Sequence, residues 1–247
     1  MTAVAKIVQA SPLRPPGWNW PSAGDHCDIC GDISGVTPSD LQRLADLAEN
    51  LPLKAGGVLV SEGDAAPYIF NVALGSLRVF RLLPDGRRQI TGFLFAGDFL
   101  GLVVGQTYAF SAVAMETSIV RRFRKGPFRQ LIEQSRSLEH MLLHRTSHEL
   151  VAAQNQMLLL GRKMAIERMA SFLLDLPSHD PSRPSTGGLV RLPMKRSEIA
   201  DYLGMTVETV SRVLTRLRAG GIIAMPNKGE LIVEQPERLR RHAQGEG

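Results

Sequence analysis

The segment RSEIADYLGMTVETVSRVLTRLRAGGII, residues 196–223, leaves the chain fewer folds than any other stretch. Ile199, Ala200 and Leu203 give a first short helix an apolar face, and Gly204 supplies the left-handed residue that ends it. Thr206 then caps a second helix whose Val210, Leu214 and Leu217 face inward, until Gly220 and Gly221 stop it. The pattern is helix, tight turn, helix.

The second helix turns Glu208, Ser211, Arg212, Thr215 and Arg216 outward, and spacings of three and four gather Glu208, Ser211 and Arg212 near its N-terminus. In helix-turn-helix proteins that end enters the DNA major groove. The chemistry suits base edges: Arg212 can bind guanine O6 and N7 bidentately, Glu208 can accept from a cytosine amino group, and Ser211 can contact either kind of edge. A surface built only to coat phosphate would avoid an acid, so Glu208 among Arg212, Arg216 and Arg218 indicates sequence reading. The bland alternative is a solvated helix pair with an i, i+4 Glu208–Arg212 contact. Thr206, Thr209 and Arg216 are expected against the DNA backbone. The stretch IIAMPNKGELIVEQ alternates around Asn227-Lys228-Gly229 and predicts a hairpin wing with Lys228 at its tip, in reach of phosphate.

Upstream the signature changes twice. Residues 1–35 are rich in proline and glycine without periodicity, an irregular arm. Thr37-Pro38 reads as a helix cap with proline in the first turn, followed by Leu41, Leu44 and Leu47. Short β-rich pieces come next, at 58–60, 68–73, 77–83, 89–95 and 111–123, with Pro84-Asp85-Gly86 as a hairpin signal. No helical patterns separate them, which points to an antiparallel roll and away from a parallel nucleotide-binding sheet. From Pro127 to Leu160 one helical stretch carries Leu143, Thr146, Leu150, Ala153, Met157 and Leu160 at steps of 3, 4, 3, 4 and 3. That is an uncharged heptad seam, expected to pair two chains in a homodimer; the alternative is a helix face packed on its own domain. A second stripe, Ile166 to Leu174, ends before a loop at 177–188. The expected architecture is α+β: arm 1–35, β-roll 36–128, dimerisation helix 129–162, and winged helix-turn-helix 163–247.

Composition closes other routes. Hydrophobic residues make up 44% of the 247, too many for disorder, and 29 Lys plus Arg against 24 Asp plus Glu leave a formal charge of +5, which allows an anionic partner. No apolar run approaches the roughly 20 residues a membrane span needs, and the N-terminus carries no secretion signal, so a cytoplasmic location is expected. The two cysteines, Cys27 and Cys30, form one C-x-x-C compatible with free thiols, a redox disulfide or a metal site, and they are the weak metal candidates. His140, His144 and His148 recur at i, i+4 and i+8 and could chelate in pairs; the plainer reading is solvated histidines beside the seam. No G-x-S-x-G, P-loop or G-x-G-x-x-G occurs, and Ala152 breaks the H-E-x-x-H that starts at His148. Catalysis is not expected.

The motifs QITGFLFAGDFLG (89–101), AMETSIV (114–120), ERMASFLLDL (167–176) and DYLGMTVETVSRVLTRL (201–217) resemble the Crp-Fnr superfamily of bacterial transcription regulators, nearest its Fnr and FixK branches, over residues 37–235. The resemblance implies that Glu208, Ser211 and Arg212 read a palindrome similar to TTGAT-N4-ATCAA, and that surface loops of the roll touch RNA polymerase. Departures concern the signal. Family members that bind cyclic nucleotide use a glutamate and an Arg-Ser pair, but here no glutamate follows Gly101 and Phe110 precedes Ser111. Family members with an iron-sulfur cluster use four thiolates, one from the roll; here only two cysteines exist and Arg121 stands at the roll position. We therefore expect an activator of promoter DNA that needs no cofactor, the alternative being a redox- or metal-gated regulator using Cys27 and Cys30.

Overall fold

A computed structural model describes residues 26–27, 31–32, 36–102, 105–179 and 189–246. Most of the arm, Cys30 included, and residues 180–188 of the expected loop lie outside them. The chain divides into two compact units, one formed by 1–77 and 94–152, the other by 78–93 and 153–247.

In the first unit β1 (His26–Cys27) pairs antiparallel with β2 (Gly31–Asp32), Cys27 opposite Gly31. Thr37 caps α1 (Pro38–Leu47) as its sequence predicts: its Oγ1 accepts from the Asp40 amide at 3.1 Å and donates to Asp40 Oδ2 at 2.7 Å. The strands follow as β3 (Glu49–Leu53), β4 (Val58–Val60), β5 (Tyr68–Leu74), β6 (Leu77–Leu82), β7 (Arg88–Leu94), β8 (Phe99–Leu100), β9 (Ser111–Ala114) and β10 (Ser118–Arg124). They form two four-stranded sheets, ordered β3-β10-β5-β8 and β4-β9-β6-β7, the expected antiparallel roll, whose residues 78–93 on β6 and β7 are counted with the second unit. Gly75 makes the β5–β6 turn at φ +84°, where an added Cβ would overlap the Ser118 hydroxyl.

The structure departs from the sequence reading in several places. The run 111–123 is two strands in different sheets, because a turn at 115–117, fixed by Ser118 Oγ donating to the Glu116 carbonyl at 2.9 Å, redirects the chain. β3 is an additional strand outside the expected pieces; its Pro52 cannot donate to a ladder, and the strand sits on a sheet edge, where that is tolerated. The stretch from Pro127 is two helices, α2 (Lys125–Glu133) and α3 (Arg136–Arg162), divided at Ser135, whose Oγ accepts from the Leu138 amide at 3.4 Å and starts the second. Leu44, Ile69, Phe99, Phe123, Phe128 and Leu138 bring α1, the roll, α2 and α3 into one core.

In the second unit α4 (Ala165–His179) runs three residues beyond the expected stop at Leu176. β11 (Leu189–Arg191), α5 (Arg196–Leu203), α6 (Val207–Ala219), β12 (Ile223–Ala224), β13 (Glu230–Val233) and α7 (Pro236–Gln244) follow, with a sheet ordered β11-β13-β12. Met169, Leu173, Ile199, Leu203, Leu217 and Leu231 are each buried within this unit. Among the described residues no helix is long and apolar enough to cross a membrane.

Candidate nucleic-acid interface

Each half of the helix-turn-helix is set by local chemistry. Glu198, at the third position of α5, reaches back to accept from the Lys195 amide at 2.7 Å, satisfying a donor that the helix start leaves open. At the other end Gly204 takes φ +61°, ψ +44°, the left-handed residue that closes α5. Thr206 then caps α6, its Oγ1 accepting from the Thr209 amide at 3.2 Å, with the two hydroxyls 3.1 Å apart. Val210, Leu214 and Leu217 are buried as expected, and Val213 joins them.

With one face of α6 buried, Glu208, Arg212, Thr215 and Arg216 stand exposed on the other and Ser211 half-buried between them. The Glu208 carboxyl is held below its ordinary range by its own amide, the Thr206 hydroxyl and the charge of Arg212, so it is ionised at neutral pH. Glu208 is thus an acceptor and Arg212 a bidentate donor, side by side at the mouth of the helix. Lys228 is exposed between β12 and β13, in a turn where Gly229 takes φ +81° and Asn227 Nδ2 donates to Glu230 Oε2 at 2.7 Å.

Two features escaped the sequence reading. Arg196, the first residue of α5, is exposed and its Nη1 donates to Ser211 Oγ at 3.2 Å, placing a further cation beside the outward face of α6. Nothing in the helical stripe marks it, because it precedes the apolar positions. The second is α7, which Leu239 anchors and whose approach caps the end of α6: Arg238 Nη1 donates to the Gly220 carbonyl at 3.1 Å and Gln235 Nε2 to the Gly221 carbonyl at 3.1 Å. Its polar sequence PERLRRHAQ offers one apolar anchor and hence no stripe.

The seam residues lie along α3 with their apolar side chains in the open: Leu143 is 63% exposed, Leu150 60% and Met157 65%; Thr146 and Ala153 are exposed too and Leu160 is half-buried. His140 and His144 set their rings 4.6 Å apart on the same helix. Cys27 lies in β1, and among the described residues no group of three or more His, Cys, Asp or Glu side chains is arranged to hold a metal.

The comparisons with known proteins agree with this geometry. A Crp-like helix-turn-helix domain model matches residues 167–242 and a cyclic nucleotide-binding domain model matches 51–135. The chain is 38% identical over 211 residues to the transcriptional activatory protein AadR of Rhodopseudomonas palustris, covering 85% of this chain and 87% of that one. It is 39% identical over 211 residues to the nitrogen fixation regulation protein FixK of Bradyrhizobium diazoefficiens, covering 83% and 89%. The structure of FixK2 from Bradyrhizobium japonicum superposes with a TM-score of 0.72 at 34% identity, over 78% of this chain and 96% of that chain. The chain belongs to the Crp-Fnr family of DNA-binding transcription regulators, and it is not an enzyme. Within the family it is of the FixK type.

In the roll, Phe110, half-buried, stands before Ser111, whose Oγ accepts from the Glu62 amide at 3.0 Å. At the position of the family's roll cysteine, Arg121 is buried and donates to Asn71 Oδ1 at 2.9 Å, its pKa lowered by burial. Asn71 in turn donates to the Gly97 carbonyl at 2.9 Å, which ties that position into the sheet.

Proposed function

We propose that this protein is a homodimeric activator that reads a palindrome similar to TTGAT-N4-ATCAA, with Glu208, Ser211 and Arg212 on base edges and Thr206, Thr209, Arg216 and Lys228 on the DNA backbone. One observation carries the reading: the outward face of α6 presents an ionised Glu208 beside an open Arg212 at the capped helix start. An acid placed there weakens indiscriminate phosphate binding and is tolerable only opposite a base-edge donor.

Dimerisation rests on α3. Large apolar side chains open to water every seventh residue suit a second copy of the same helix, and two copies supply the two-fold symmetry that a palindrome mirrors. We assign residues 129–162 to dimerisation, 163–247 to DNA reading, 36–128 to a roll retained without its nucleotide chemistry, and 1–35 to an arm. No cofactor is required in this reading, because the roll lacks the phosphate-binding pair and two cysteines fall short of a four-thiolate cluster. Loops of the roll meet RNA polymerase in the cytoplasm.

The test is fluorescence anisotropy of metal-free, aerobically purified protein on TTGAT-N4-ATCAA and on a scrambled duplex at about 150 mM salt, since affinity depends steeply on salt. Tight, selective binding by a dimer is expected. Binding that becomes selective only after iron or reductant is added would replace this reading with gating through Cys27 and Cys30.

A further inference from the structure

The last carbonyls of a helix have no partner inside it, so where they meet protein their partners fix its end. α5 ends at the turn that aims α6, and three elements supply those partners. Gln89 Nε2, on β7, donates to the Asp201 carbonyl at 2.8 Å; Gln156 Nε2, on α3, donates to the Tyr202 carbonyl at 3.0 Å; Arg168 Nη1, on α4, donates to the Leu203 carbonyl at 2.9 Å and the Gly204 carbonyl at 3.3 Å. Four successive carbonyls are thus held by side chains distant in sequence.

The β6–β7 hairpin adds more. Arg88 Nε and Nη2 donate to Asp201 Oδ2 at 2.9 and 2.5 Å, and Arg78 pairs with Glu198, the buried carboxylate that closes the first turn of α5. Phe93 closes a three-ring cluster with Tyr202 at 5.2 Å and Phe172 at 6.3 Å, the last two 5.6 Å from each other. These contacts engage α5 and leave Glu208, Arg212 and Arg216 exposed on α6, so the held state is open to DNA.

We infer that Arg78, Arg88 and Gln89 of the hairpin, with Gln156 and Arg168, are positioning residues that hold the α5–α6 turn and thereby the aim of the recognition helix. The inference rests on the proposed DNA reading for its consequence, not for its geometry.

Charge exchange across Arg88 and Asp201 tests it, with two readouts: amide hydrogen exchange at 204–206 and affinity for the TTGAT-N4-ATCAA duplex. Arg88→Asp and Asp201→Arg should each speed exchange and each weaken cognate binding about tenfold, and the double exchange should restore both to within about threefold. Asp201→Arg is the discriminating variant. It adds positive charge to the DNA-reading unit, so a purely electrostatic role would tighten binding to every duplex. Tighter binding by Asp201→Arg, unchanged exchange in the single variants, or a folded double variant that fails to recover would overturn the inference. Should an exchanged variant not fold, Gln89→Met removes the amide that donates to the Asp201 and Ile90 carbonyls and leaves the charge pairs in place, and exchange at the turn must still rise. If the wild type shows no cognate preference, the DNA reading falls, while the exchange data still decide whether the turn is held.

Discussion

Arg196 Nη1 donates to Ser211 Oγ across 3.2 Å, so the first residue of α5 reaches the outward face of α6 that we propose reads bases. A serine hydroxyl engaged by a guanidinium has its acceptor side occupied and turns its own proton outward, toward a base acceptor. Arg196→Ala and Ser211→Ala should therefore be coupled, the double variant losing less cognate affinity than the sum of the singles by about 0.5 kcal/mol or more. Anisotropy titrations of the four proteins measure this, and strict additivity would remove the contact from the reading mechanism.

Lys228 belongs to a different class of contact. A wing-tip ammonium neutralises phosphate without reading a base, so Lys228→Ala should weaken cognate and scrambled duplexes alike and flatten the salt dependence of binding by about one counterion per protomer. A loss confined to the cognate duplex would make Lys228 a reader.

Of the three tyrosines, Tyr202 lies in the ring cluster with Phe93 and Phe172, and burial, with the nearby charge of Asp175, pushes its hydroxyl up to about 12. The sign follows: the fold favours the neutral phenol, so its contribution to stability is complete below pH about 10 and is lost as pH rises toward 12. Ultraviolet titration should show a late tyrosinate step near pH 12 that Tyr202→Phe removes.

The uncharged seam makes a prediction about assembly. Burying Leu150 against its counterpart is worth about 1.5–3 kcal/mol per copy, and each dimer contains two. Leu150→Asp should weaken self-association by about a hundredfold or more, with DNA affinity falling in step at nanomolar protein. Sedimentation velocity reads the first. A variant still dimeric at low micromolar concentration would move the interface off this face.

What the sequence disclosed, and what it hid, follows from the range of the forces involved. The helix-turn-helix was legible because Thr206 and Gly204 act on their immediate neighbours, and the caps appear where the residue types placed them. The α2–α3 break was hidden because Ser135 caps within an otherwise helical run, and β8 because two residues carry no period. Arg88 and Asp201 lie 113 residues apart, so nothing local could announce that they meet. Glu198 lies outside the apolar face that Ile199, Ala200 and Leu203 mark in the sequence, yet it is buried, held by its capping bond and by Arg78.

The most direct measurement crosses Arg212→Ala with a duplex whose TTGAT guanine is replaced by adenine in both half-sites. Wild-type protein should lose about 1–3 kcal/mol per half-site on the altered duplex, and Arg212→Ala should bind both duplexes equally, because the group that reads the guanine is gone. If Arg212→Ala keeps the full preference for guanine, Arg212 does not read that base and the assignment of the α6 face fails.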